Sequence, residues 1–380
     1  MGSSQRDELL RHQVVVVGAR CAGAATALHL ARAGHDVLLV DRATFPSDTV
    51  STHALTRGGV VQLSRWGLLD GVLASGAPPV RLVTFALRGV ETTLPIKERA
   101  GVDHVLAPRR HVLDALLLDA AEAAGATVRT GVTVTGVRRR TDGRVIGLDA
   151  RTADGGTLVV HAEHVVGADG VRSRMAGWLG AETQESFRAD TATFYAYVAG
   201  VDWPAFEFHV APDAFAGVFP THAGEACLWL GGPTATLSAI RTAGVRRGEA
   251  LVTAIEAASP SLGRRVRGGR VTSRVRGAVN LPNHLRRPVG AGQGWALVGD
   301  AGYHRDAITG HGITDAFRDA ELLSGALDTA LRDPAAEDDA LATYHARRDA
   351  ALRETFDLTR ALTAFPSPER FVELQIELSA

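Results

Sequence analysis

The chain has almost no lysine: of its 41 basic residues only Lys97 is one, and the arginines that take its place are scattered rather than gathered into a stripe. With a formal net charge of −1, this leaves no electrostatic footprint for a nucleic acid. Cysteine is as scarce, and Cys21 and Cys227 are too few for a disulfide framework. No basic, apolar and small-residue leader precedes the first hydrophobic run, so a cytoplasmic location is the simplest reading. Apolar stretches are interrupted by Arg, Asp or Gly within about a dozen residues, short of what a bilayer needs. What remains is length and apolar content: 380 residues, 46% of them hydrophobic, suffice for one large or two interleaved domains. No repeat, low-complexity tract or linker divides the chain, which favours interwoven domains over domains in series.

The run Gln13 to Val17 is β-branched and reads as a buried parallel strand. Gly18-Ala19-Arg20-Cys21-Ala22-Gly23 follows, opening an Ala- and Leu-rich helix over 21–33 that Gly34 ends. Asp36 to Val40 reads as a second strand stopping at Asp41. Such a unit aims a helix N-terminus at a pyrophosphate and sets an acid beside a ribose hydroxyl. The pattern is imperfect, because Arg20 stands at the middle glycine of Gly-x-Gly-x-x-Gly. A side chain there limits how closely the backbone approaches a phosphate, although its guanidinium adds charge nearby. Alone the glycines are weak evidence, since a βαβ unit without a dinucleotide reads much the same; Asp41 is what favours the dinucleotide.

Further along, 58–69 and 109–124 read as helices, 80–94 as extended, and three short strands broken at Thr141-Asp142-Gly143 and Ala153-Asp154-Gly155-Gly156 form a meander leading into a strand over 163–167. Residues 191–231 alternate like strands and hold nine of the chain's 21 aromatics, Phe206, Phe208, Phe219 and Trp229 among them. A sheet of this kind suits one wall of a pocket for a flat apolar ligand, including Pro220 at its end, though alternation sends only one face there. A helix over 234–258, an extended stretch over 271–281, a buried strand over 295–298, a long helix over 312–331 and C-terminal helices broken at Pro366 and Pro368 complete the pattern.

Two more segments, Val166-Gly167-Ala168-Asp169-Gly170 and Leu297-Val298-Gly299-Asp300-Ala301, occur in order with the first. With all three, nearly the whole chain resembles the class A flavoprotein monooxygenases, the single-component aromatic hydroxylases. The resemblance implies an α/β fold in which a Rossmann-like FAD-binding domain (1–78, 101–188 and 283–380) is interwoven with a smaller mixed-sheet substrate domain (79–100 and 189–282), with helices at the C-terminus. It implies FAD on the turn of Gly18, Arg20, Cys21, Ala22 and Gly23, with Asp41 and the adjoining Arg42 at the adenosine ribose. Arg110 of Arg-x-x-Leu would lie on the flavin side, Gly299 and Asp300 at the ribityl chain, and Asp169 and Gly170 in a motif tied to FAD and the nicotinamide donor. The implied reaction uses NAD(P)H and O2 to oxygenate an aromatic or polycyclic small molecule through a C4a-hydroperoxyflavin, in a monomer or homodimer without metal, nucleic acid or membrane, as expected in specialised metabolism.

The segment Thr309-Gly310-His311-Gly312 supports a flavin on physical grounds. Two glycines before a long helix expose N–H groups and the positive helix end, which stabilise the negative charge a hydride-accepting flavin develops. Two departures stand beside this: Tyr303 replaces a histidine and Ala307 a proline of the family segment, which loosens the expected loop. Candidate bases are His222, which follows the aromatic strand, then His53 and His304, with His209 also considered. Arg57 and Arg305 are candidates for an anionic substrate group. Halogenases of similar architecture carry a Trp-x-Trp-x-Ile-Pro segment and an essential lysine, and this chain lacks the segment. A flavin-dependent reductase of isoprenoid double bonds, or a non-catalytic flavin carrier, are the competing readings.

Overall fold

The computed structural model describes residues 7–379. Val14, Val15, Val16 and Val17 are buried, and a strand apolar on both faces belongs inside a parallel sheet covered on both sides. Burying each such side chain contributes roughly 1.5–3 kcal/mol. The strand Asp7–Val17 accordingly pairs in parallel with Val37–Asp41 on one side and Thr157–Gly167 on the other. Thr127–Thr130 and Trp295–Leu297 extend the parallel set outward. Because Val17 is level with Gly167, and Gly167 with Leu297, the three separated motifs leave the sheet at one edge.

Helices Cys21–Arg32 and Gly312–Arg332 cover one face, packing Ala24, Leu28, Phe317 and Leu323 into the main apolar cluster. The strands Val132–Arg139 and Val145–Thr152 cover the other through Val134 and Leu148, against Val15 and Leu38. A second sheet of eight strands draws on residues 82–95 and 191–279. One of its faces packs on Leu251, Ile255 and Leu262; the other carries Phe206, Phe215, Phe219 and Trp229, joined by Phe371 from the last helix and Phe365 from the turn before it. The α/β architecture with interwoven sheets and C-terminal helices is the one expected. Among the described residues no helix is long and apolar enough to cross a membrane.

Several elements differ from the sequence reading. The third meander strand and the strand expected over 163–167 are one continuous strand, Thr157–Gly167. Its burial alternates beside the meander and becomes complete inside the parallel sheet, so two sequence patterns lie on one strand. The helix expected over 234–258 divides at a turn into Ser238–Thr242 and Arg247–Ala258. A small sheet of Thr183–Arg188, Pro282–Arg286 and Tyr303–His304 was not foreseen, because such short strands show too few alternations.

Candidate active site

Gly18 leaves the first strand at φ +108°, and a Cβ there would lie 2.4 Å from the Ala168 carbonyl oxygen. A Cβ on Gly23 would lie 1.8 Å from the Gly18 carbonyl oxygen, so the turn closes this tightly only with both glycines. Asp41 fixes the turn from the next strand, accepting from the Ala19 N–H at 2.7 Å and the Ala43 N–H at 2.7 Å. Arg42 beside it is exposed. Arg20 caps the helix without a side-chain cap bond and no acid occupies the first turn, so the N–H groups around Cys21, Ala22 and Gly23 stay available to an anion.

The Arg20 guanidinium turns to Asp114 at 2.7 Å and to Ser47 and Asp48, so it does not fill the place of the missing glycine hydrogen. Asp114 is fully buried and also receives Arg110 at 2.9 Å and the Cys21 thiol at 3.2 Å. Two guanidiniums thus share one carboxylate and leave one positive charge over, which a pyrophosphate would balance. Burial pushes the Cys21 thiol well up, which keeps it protonated and inert.

The other two acids differ in what they hold. Asp169 accepts from Ser173 Oγ at 2.5 Å and from the Arg174 and Met175 N–H groups, tying down the helix Arg174–Leu179, while Gly170 stands beside it at φ +84°. Asp300 is exposed, and its carboxylate has no hydrogen-bond partner among the described residues. Gly299 packs against Ala22 at the base of the first turn. These residues fit an anionic dinucleotide: an uncapped helix end, a surplus guanidinium and a free carboxylate lie on one strand edge.

Beyond that edge opens a cavity of about 660 Å3, the size of a small-molecule site. Thr309, Gly310 and His311 line it on one side; Phe206, Phe208, Phe215, Phe219 and Trp229 line it on the other. Gly310 turns the chain at φ +67°, and at Gly312 a Cβ would meet nothing within 4 Å. Ala307 sits where a proline was expected, and Asp306 holds the turn instead by accepting from the Ile308 N–H at 3.0 Å and from Thr191 Oγ1 at 2.5 Å. Asp315, in the first turn of the long helix, is neutralised by Arg305 at 2.6 Å and Arg318 at 3.0 Å, so the helix end keeps its positive character. This accounts for Arg305, which is buried rather than available to a substrate.

None of the three candidate histidines lines the cavity. His222 is a satisfied imidazole: Ser75 Oγ gives its proton to the Val72 carbonyl and takes one from Nε2 at 3.0 Å, while Nδ1 accepts from the Arg109 N–H. Burial and then the Arg109 charge lower it to about 4. His53 is fully buried, with Nε2 2.6 Å from the Tyr197 hydroxyl; burial, then Arg110 and Arg109, lower it to about 3. His304 donates from Nδ1 to the Pro282 carbonyl in the small sheet. His209 is buried between Ser259 and Glu207. Pro220 is buried outside the cavity lining.

Among the described residues His311 is the only histidine on the cavity surface. Its Nδ1 faces the Thr309 carbonyl, which only accepts, so Nδ1 carries the proton and Nε2 keeps its lone pair. Burial first, then Arg305, keeps its pKa below the usual imidazole value. Arg57, Arg65, Arg99 and Phe365 also line the cavity; Arg57 and Arg65 share one helix, and no short-range pattern in the sequence joins them to Arg99 or Phe365.

The profile of the FAD binding domain family matches residues 11–359. The chain belongs to this family. FAD is its cofactor, and the protein is an FAD-dependent oxidoreductase. Among curated relatives, menaquinone reductase of Mycobacterium tuberculosis H37Rv is 29% identical over 329 residues, covering 83% of this chain and 76% of the relative. Digeranylgeranylglycerophospholipid reductase of Methanocella arvoryzae is 27% identical over 357 residues, covering 91% and 85%. Among solved structures, Pseudomonas aeruginosa PqsL in complex with 2-aminobenzoylacetate superposes with a TM-score of 0.79 at 23% identity, covering 96% of this chain and 99% of that one. At that identity the family likeness is one of fold.

Proposed function

We propose that the protein is a monooxygenase that uses NAD(P)H and O2 to oxygenate, most simply to hydroxylate, an aromatic or polycyclic small molecule. The observation that carries this reading is the shared cavity: the aromatic face of the second sheet and the glycine turn at the head of the long helix line one space. FAD, when bound, supplies hydride acceptance and the activation of O2. The chain's own part is to hold the cofactor through Gly18, Gly23, Arg110 and Asp300, and to place positive helix ends where negative charge develops. The aromatic wall excludes water and stacks a flat ligand. For a phenolic substrate, His311 Nε2 is the acceptor we assign to its proton, in place of His222, His53 and His304.

Product formation from the purified protein with NADPH under isotopically labelled dioxygen tests this. Label in the product is expected, together with faster anaerobic bleaching of the flavin when the substrate is present. A second reading, reduction of a quinone or isoprenoid double bond, draws on the two curated relatives. Product formed in the absence of O2 favours it and overturns oxygenation.

A further inference from the structure

The charge around the cavity is lopsided. Arg57, Arg65, Arg99 and Arg318 line it against two carboxylates, Asp306 and Glu321. Arg318 is committed to Asp315 and Asp319. Asp306 is committed to Thr191 and the Ile308 N–H, and Glu321 accepts from Trp66 Nε1 at 2.7 Å and Gln62 Nε2 at 3.1 Å. Arg57, Arg65 and Arg99 have no carboxylate partner among the described residues; the one side-chain hydrogen bond they make among those residues runs from Arg57 Nη1 to the Lys97 carbonyl at 2.7 Å.

Their placement is ordered. Arg57, Val61 and Arg65 recur every four residues on the helix Arg57–Arg65, so they share the face that lines the cavity. Arg99 faces them from the loop after the hairpin, and the Arg57–Lys97 bond ties that loop to the helix. Arg65 and Arg99 are exposed, whereas Phe206, Phe219 and Trp229 are buried, so the cations mark the mouth and the rings the interior.

We infer that the substrate is an amphipathic anion: a flat apolar body received by the aromatic wall, with a carboxylate, sulfonate or phosphate held at the mouth by Arg57, Arg65 and Arg99. The inference rests on the proposed reading of the cavity as the substrate site. Three unpaired guanidiniums are weakly hydrated forks that match planar or tetrahedral oxyanions, and beside an apolar wall they favour a ligand carrying both characters.

The test uses the FAD-loaded protein and two probes that differ by one group, anilinonaphthalene sulfonate and its uncharged counterpart N-phenyl-naphthylamine. Both are expected to bind one site, each displacing the other, with the sulfonate tighter by about tenfold or more at low salt and less so at high salt. Combining Arg57→Gln, Arg65→Gln and Arg99→Gln is expected to abolish that preference while the uncharged probe binds as before, which also shows that the variant is folded. Equal affinity of the two probes for the wild-type protein, or a preference that survives in the triple variant, overturns the inference and leaves the cavity reading standing. Failure of both probes to bind overturns the two together. The concentration of NADPH needed for anaerobic flavin reduction is the remaining arm: if the triple variant raises it and keeps its preference for the sulfonate, the arginines serve the nicotinamide donor's phosphates and the inference falls.

Discussion

At the dinucleotide end of the site the chain works with backbone: two glycines, a helix end and a carboxylate, all within residues 18–41, close a turn that tolerates no Cβ. At the cavity end it works with side chains drawn from well-separated stretches, Arg57 and Arg65, Arg99, the strands over 191–232, the turn over 306–311 and Phe365. The first design depends on conformations only certain residues adopt, so it is rigid and local. The second depends on how two sheets and a C-terminal helix meet, so its chemistry can change without disturbing the fold.

The largest effect is expected at the buried charge cluster of the dinucleotide end. Asp114→Ala would take from Arg110 and Arg20 the buried carboxylate they share, and breaking a buried pair of this kind costs about 3–5 kcal/mol. Denaturant unfolding without added FAD measures that loss, and saturating FAD should restore part of it by supplying the missing negative charge. A variant as stable as the wild type would show that Asp114 does not hold the cluster.

Gly18→Ala comes next. Its φ of +108° and the 2.4 Å approach to the Ala168 oxygen predict strain of about 1–3 kcal/mol together with loss of bound flavin, read as the flavin-to-protein absorbance ratio after gel filtration. Substitution of Phe208 by Leu in the cavity wall should leave that ratio unchanged, which separates the two ends directly.

The histidines sharpen the contrast from the other side. In the unfolded chain each titrates at the ordinary value of 6.5, whereas His222 and His53 are lowered to about 4 and about 3 by burial and neighbouring guanidiniums. Between those values the unfolded state binds the extra proton, so stability is complete above pH 6.5 and falls as the pH drops toward 4. Each histidine contributes a slope of up to about 1.4 kcal/mol per pH unit in that window. His53→Asn, whose side chain tolerates the φ of +67° at that position, should flatten the acid limb of the stability curve. An unchanged slope would show that His53 is not held neutral by the fold.

The same contrast explains what the sequence made legible. Gly18, Gly23, Asp41 and Asp300 declare themselves because strand, turn and acid are neighbours in the chain, and the parallel register then brings Gly167 and Leu297 alongside Val17. The aromatic wall was legible as a cluster for the same reason. The placement of the histidines was not: His222 follows Phe219 closely, yet Ser75 and the backbone of Arg109, far away in sequence, decide where its ring is held. His311 belongs in sequence to a cofactor turn, and only the folded turn places it in the cavity lining. Arg65 shares only a helical spacing with Arg57, and Arg99 carries no local signal, since their meaning lies in lacking a carboxylate partner at the mouth.

The smallest expected effect on the fold tests the dinucleotide end most cleanly. Asp41 and Asp169 each hold backbone N–H groups, so replacing either perturbs a turn or a helix as well as any ligand. The Asp300 carboxylate is exposed and accepts no hydrogen bond among the described residues, so Asp300→Ala should change unfolding free energy by no more than about 0.5 kcal/mol without FAD. Flavin retention should nevertheless fall, seen as a weaker FAD affinity in fluorescence titration of the apoprotein. A stability loss without FAD would assign Asp300 to the fold. Unchanged affinity would remove it from the cofactor site and shift the weight of binding onto Arg110 and the glycine turn, where two guanidiniums already outnumber their one carboxylate.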